Sequence, residues 1–243
     1  LVTDTLSGGK IMTCRHANGR DWWLLKPRTD HDEYHTYLID PLGIHYQGLQ
    51  KIGLKSGRGI GKAIFSEDGS KYALINSYKE GADGIKLHLY DFDRRTGLLS
   101  NYREDTFHSD LLDVSGGVAF SYSGRYLYMC NRLHVYQYDL EAEDFKASRQ
   151  EVAEYDGYVH YYSETSGKST HFGPMKLGPD GKIYIIPTSA NNREMHRIEN
   201  PDLEGEACEV NQHSIQTASF ARTIPNIPNF RLGPLDGSPC DTL

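Results

Sequence analysis

What most constrains this chain is a strand–turn–strand unit that recurs four times. The segments IMTCRHANGRDWWLL (residues 11–25), AIFSEDGSKYALI (63–75), VAFSYSGRYLYMC (118–130) and PMKLGPDGKIYII (174–186) each run from apolar residues through a short polar turn into an apolar or aromatic run. The turns close on Gly19, Gly69, Gly124 and Gly181, spaced 50, 55 and 57 residues apart. Asn-Gly, Asp-Gly and Ser-Gly pairs favour hairpin turns, because glycine takes positive φ without steric cost. The residues after each turn, such as 22–25, 72–75 and 126–129, alternate or run apolar as strands do. A chain built of self-similar units stacks them, since one unit cannot bury its apolar face alone.

Each unit continues into a third strand ending in an acidic or amide residue, at 34–40, 86–91, 134–139 and 194–200, and then into a more polar fourth. No long stretch carries a capped helical period. Four antiparallel strands in about 50 residues describe a propeller blade. The expectation is therefore an all-β fold, a β-propeller of four-stranded antiparallel blades with about four blades visible in the chain. Residues 1–243 are read as one region with repeats near 9–57, 58–113, 114–170 and 171–223, then a Pro-rich tail at 224–243. A two-sheet sandwich also has short strands, but it leaves the self-similarity unexplained. Propellers commonly close with more blades than four, so the first inner strand calls for a neighbour. Missing upstream blades of a larger ring, another copy of the chain and the segment at 215–230 are the three choices.

The charge balance excludes one class of partner. The formal net charge is -7 and the 26 basic residues are scattered, so nucleic acid is not the expected partner. No apolar run reaches the ~18 residues of a membrane helix, and no membrane span is expected. Cys14, Cys130, Cys208 and Cys240 allow three complete pairings and form no CxxC, so zinc and redox motifs lack support. A Cys208–Cys240 disulfide would tie the tail to the last repeat; buried thiols are the alternative.

No GxSxG elbow, Walker A motif or zinc-ligand spacing is present, so no catalytic residue, metal or cofactor is assigned. HDEYH (31–35) is read as a solvated loop leading into a strand. GLKSGRGIG (53–61), with Arg58, could cradle an anion or simply connect two blades. Arg15 and His16 stand just before the first turn, where a channel-lining role competes with water and backbone partners. The best candidate is YDGYVHYYSETSGKSTHF (155–172), the longest insertion. It carries Tyr158, His160, Tyr161, Tyr162 and His171, either as a contact surface or as a hairpin whose rings pack on a blade.

The wording of the repeats adds a resemblance. HANGRDWWLL (16–25), FSEDGSKYA (65–73), LYDFDRRTGLLSN (89–101), LGPDGKIYI (177–185) and PNFRLGPLDGSPCDTL (228–243) resemble a group of bacterial extracellular propeller proteins. Those proteins are exported by the type IX secretion system, with a C-terminal sorting domain after the propeller. The resemblance implies a secreted, cell-surface location in a Gram-negative bacterium, and a mature chain without its signal and sorting segments. It supplies location, not chemistry. The functional expectation is a non-enzymatic module that binds protein or glycan at the cell surface. The alternative is a propeller enzyme of the lactonase or lyase type with its site at the channel mouth.

Overall fold

The computed structural model describes residues 4, 6, 8–55, 61–76, 85–107, 116–189, 191–220 and 223–238. They fall into two compact units, one within Leu1–Leu112 together with Ile227–Leu243, the other within Asp113–Asn226. The first unit holds β1 (Met12–Arg15), β2 (Trp22–Pro27), β3 (Glu33–Asp40), β4 (Gly43–Lys51), β5 (Gly61–Phe65), β6 (Lys71–Asn76), β7 (Ile85–Asp93) and β8 (Leu98–Phe107). The second holds β9 (Gly117–Phe120), β10 (Tyr126–Cys130), β11 (His134–Asp139), β12 (Gln150–Glu154), β13 (Val159–Tyr161), β14 (Gly167–Ser169), β15 (Phe172–Leu177), β16 (Ile183–Pro187), β17 (Glu194–Ile198) and β18 (Val210–Gln216). Four sheets are four-stranded, antiparallel and ordered as the chain runs: β1–β4, β5–β8, β9–β12 and β15–β18. The all-β, four-stranded blade architecture is the one expected; the described residues contain no α-helix and one 3-10 turn, Gly205–Cys208.

The blades share one turn design. Gly19, Gly69, Gly124 and Gly181 all follow a blade's first strand, with φ of 71, 74, 75 and 79°. Each glycine N–H donates to the carbonyl three residues back, at 2.9 to 3.1 Å. The side chain before each glycine then accepts the N–H two residues further on: Asn18 from Arg20, Asp68 from Ser70, Ser123 from Arg125 and Asp180 from Lys182. Side-chain oxygens thus satisfy N–H groups that the ladder leaves unpaired.

Each unit has its own core. In the first, β1 lies beside β5, and Met12, Leu25, Tyr34, Tyr72, Leu74, Tyr90 and Phe92 are buried together. The hydroxyls of Tyr34 and Tyr90 hydrogen-bond each other at 2.6 Å, so two phenols enter an apolar core without orphaned polar atoms. In the second, β9 lies beside β15, and Tyr128, Val135, Phe172, Met175, Ile185 and Ile198 form the core with the buried Cys208.

The tail belongs to the first unit. Arg94 is buried, and its guanidinium donates to the carbonyls of Arg15, His16 and Gly233. Arg95 reaches Asp236 O at 3.1 Å, Leu235 N–H reaches Ala17 O at 2.8 Å, and Phe230 sits edge-on to Trp22 at 5.3 Å. Cys240 lies outside the described residues, as does Arg58.

Candidate binding surface

The strands place the surface. After β12 the chain crosses to β15 through residues 155–171, and this crossing is itself ordered as the antiparallel hairpin β13–β14. Gly167 makes the hairpin tight: a Cβ there would stand 2.6 Å from Val159 and 3.0 Å from the Tyr161 ring. Val159 and Tyr161 therefore lie over the space that the missing side chain leaves.

Polar contacts lock the hairpin to blade four. Asp156 Oδ2 stands 2.6 Å from His213 Nε2 on β18, while its Oδ1 accepts the Tyr158 N–H at 3.0 Å. Tyr158 stacks on the His213 ring with centroids 4.2 Å apart. The Tyr158 carbonyl accepts bonds from the Tyr155 hydroxyl and from Thr170. His213 itself has a φ of 37°, a left-handed conformation uncommon for a side chain of this size. That turn of the backbone lets its N–H donate to His196 Nδ1 at 3.0 Å.

His196 is fully buried against Phe172, and burial pulls its pKa down to about 4, with the nearby His213 acting the same way and Thr170 and Asp156 opposing. The Asp156 carboxyl is held below the usual range by the Tyr158 N–H and His213, which outweigh its burial. On the hairpin's other side, His160 Nδ1 faces Glu194 Oε1 at 3.3 Å, both residues being buried. Arg132 meets His171 Nδ1 at 3.0 Å, and Tyr155 packs on the same ring at 4.6 Å.

The structure thus divides the sequence candidates. Tyr158, Tyr161 and Tyr162 are 40%, 67% and 44% exposed. His160 and His171 instead face Glu194 and Arg132 and fasten the hairpin. The segment folds as a hairpin, with Tyr158 stacked on His213 of blade four and Tyr161 and Tyr162 left exposed.

Arg15 and His16 lie in the first unit with backbone partners. Arg15 donates to Gly19 O and Phe230 O and lies 4.6 Å from the Trp22 ring. His16 Nδ1 accepts the Asn18 N–H at 3.0 Å, and its ring packs on Trp23 at 5.3 Å. The HDEYH segment departs from the solvated-loop reading at one end: His35 is buried in β3, its Nε2 3.0 Å from Asp4. Among the described residues, no three His, Cys, Asp or Glu side chains form a group able to hold a metal.

Sequence reasoning passed over His88, His134 and His196, and took His35 only as part of a loop. The third strand of every blade carries one histidine, His35, His88, His134 or His196, and each reaches the fourth strand. The partners are the Tyr46 hydroxyl at 3.2 Å, the Tyr102 hydroxyl at 3.0 Å, Glu151 at 3.1 Å and the His213 N–H at 3.0 Å. Aligning the third strands on their histidines would have exposed this repeat.

No family model matches the chain, and no curated protein matches it. Solved structures do. A candidate 6-phosphogluconolactonase from Bacteroides uniformis is similar with a TM-score of 0.56 at 16% identity, covering 89% of this chain and 60% of that one. A second candidate 6-phosphogluconolactonase, from Bacteroides fragilis, gives a TM-score of 0.54 at 17% identity, covering 85% of this chain and 54% of that one. The chain therefore spans little more than half the length of these structures. The likeness is one of fold, and that fold is the β-propeller.

Proposed function

We propose that this chain is the binding part of a secreted, surface-associated propeller, and that its hairpin contacts a protein or glycan partner. The observation that carries this reading is the contrast within one hairpin. Tyr161 and Tyr162 stand out to solvent and Tyr158 keeps 40% of its surface exposed beside His213, while the polar residues around them are spent on fixing the hairpin to its blade. Tyrosine gives large contact area for little rotamer entropy, and a platform ordered before binding adds little to the cost of association. The sequence resemblance supports an extracellular setting with export by the type IX route. No helix among the described residues is long and apolar enough to cross a membrane.

The test is the triple replacement of Tyr158, Tyr161 and Tyr162 with Ser. Titration with soluble neutral polysaccharides, and photo-crosslinking from the exposed position 164 on intact cells, should both lose signal while Tm stays nearly unchanged. A variant that binds like the parent overturns the assignment.

A lactonase reading rests on the fold likeness and on the His213–Asp156 pair, in which a carboxylate orients an imidazole. Hydrolysis of 6-phosphogluconolactone abolished by His213→Ala, with Tm retained, would establish it in place of the binding reading.

A further inference from the structure

The tail lies on the first unit as a peptide lies on a receptor. After β18 ends at Gln216 the chain forms no further strand or helix among the described residues, yet 229–236 are held at closely spaced points. Arg15, Arg94 and Arg95 donate to the carbonyls of Phe230, Gly233 and Asp236 in turn, a constant step of three residues. Ala17 O accepts the Leu235 N–H at 2.8 Å, and Asn229 Nδ2 donates to Glu67 O at 2.8 Å. Two side chains fix the register: Leu232 packs on the first unit's core, and Pro234 sits against Gly19. Main-chain bonds that hold, with a few side chains that select, are how extended peptides are recognised.

Two observations set this segment apart from the fold beneath it. Between 223 and 238 only Ser238 is buried, so the segment rests on the surface rather than in a core. The second unit repeats the same blade turns uncovered among the described residues. A Cβ on Gly124 or Gly181 meets nothing within 4 Å, whereas one on Gly19 or Gly69 would stand 2.8 Å from Pro234 or Leu232. Blades of this design do not need a strap. What the first unit has in addition is a site with a ligand in it.

We propose that Arg15, Arg94, Arg95 and the turns at Gly19 and Gly69 form a peptide-recognition site, filled in each copy by its own tail and open to exchange for the tail of a second copy. The contacts name the occupant. Leu-Gly-Pro-Leu-Asp (232–236) is the peptide that the site fits, and a second copy brings the same peptide with the same partners. Exchange of identical elements leaves every contact in place, so it is a low-cost route to a dimer. A chain's own tail keeps the advantage of its tether, an effective concentration on the order of 1 mM for a short link. Copies therefore exchange tails when they are crowded to about that density.

The probe is a fluorescent peptide of residues 227–238, IPNFRLGPLDGS, titrated into the full chain. In the parent the chain's own tail competes with it. Leu232→Ser in the chain loosens that tail, and the probe should then bind roughly tenfold more tightly or better. Arg95→Gln, at an exposed position of the site, should weaken the probe roughly two- to fivefold in the parent and in the Leu232→Ser chain. Small-angle scattering of the parent at about 1 mM should show dimers, which excess probe returns to monomers and Leu232→Ser abolishes. Probe binding indifferent to both substitutions overturns the proposal, as does a parent still monomeric at that concentration or a dimer that excess probe leaves intact. A Leu232→Ser chain that loses its fold makes the tail part of the core and overturns it too. None of these readouts involves the hairpin tyrosines, so the peptide site and the binding surface fail separately.

Discussion

Gly19 and Gly124 hold the same turn position with nearly the same φ, 71 and 75°, but their surroundings differ. A Cβ on Gly19 would stand 2.8 Å from Pro234, while one on Gly124 meets nothing within 4 Å. Gly124→Ala should cost about 1 kcal/mol for the left-handed backbone alone. Gly19→Ala should cost a further 1–3 kcal/mol or so, because proline backbone cannot swing aside. Denaturant midpoints of the two variants check this, and equal losses would show that the tail yields freely. Two buried histidines set the acid response. Burial, helped by the charges of Lys10 and Lys86, pulls His88 down to about 3, and burial pulls His196 to about 4. Unfolded, both titrate near 6.5, so between that pH and 4 the unfolded chain takes up protons that the folded chain refuses. Stability is full above about 6.5 and falls with pH, by on the order of 3 kcal/mol per histidine at pH 4. Thermal midpoints from pH 7 to 4 should show the decline, and His196→Gln should flatten it; a variant with the parent's slope would place the protons elsewhere.

Among the elements, the β7–β8 turn does more than reverse the chain. Asp93 caps it through the Arg95 N–H and the Thr96 hydroxyl. What the sequence did not suggest is Arg94, which binds four carbonyls from three distant segments and receives the Trp23 indole N–H on its own carbonyl at 2.8 Å. Arg94→Met should cost about 2–4 kcal/mol, since buried carbonyls lose a charged donor. The same fall in Tm should follow from deleting residues 227–243, and combining the two changes should add little. Strict additivity would mean that Arg94 does not act through the tail. The strands and turns were legible because alternation and Asx-Gly pairs are local signals. The docking of the tail was not, because its contacts join residues some 140 to 215 apart in sequence and no periodicity encodes them.

For the whole molecule, the repeat announced the blades, while the candidate surface was legible only in outline. Tyr-rich composition marked residues 155–172, but whether each ring faced solvent depended on His213, Glu194 and Arg132, on strands the segment reaches only after folding. The cysteines offer a test at this scale. Burial pushes the Cys14 thiol up to about 12, with Arg94 opposing, so native protein should leave Cys14 unalkylated at pH 8 and unfolded protein should not. Peptide mapping without reductant decides the proposed Cys208–Cys240 bond: a linked pair supports it, and two separate thiols discard it.

The tail's attachment also has a consequence in time. Residues 1–112 and 227–243 form one body, with the whole of the second unit between them in the chain. Emerging from the ribosome or an export channel in order, the blades of β1–β8 must wait for a segment made after the whole second unit before Trp22, Arg94 and the turn at Gly19 gain their covering. The second unit can finish first, although it begins later. A chain stalled before Ile227 would leave an early-made body incomplete, so the order of synthesis and the order of completion run opposite ways.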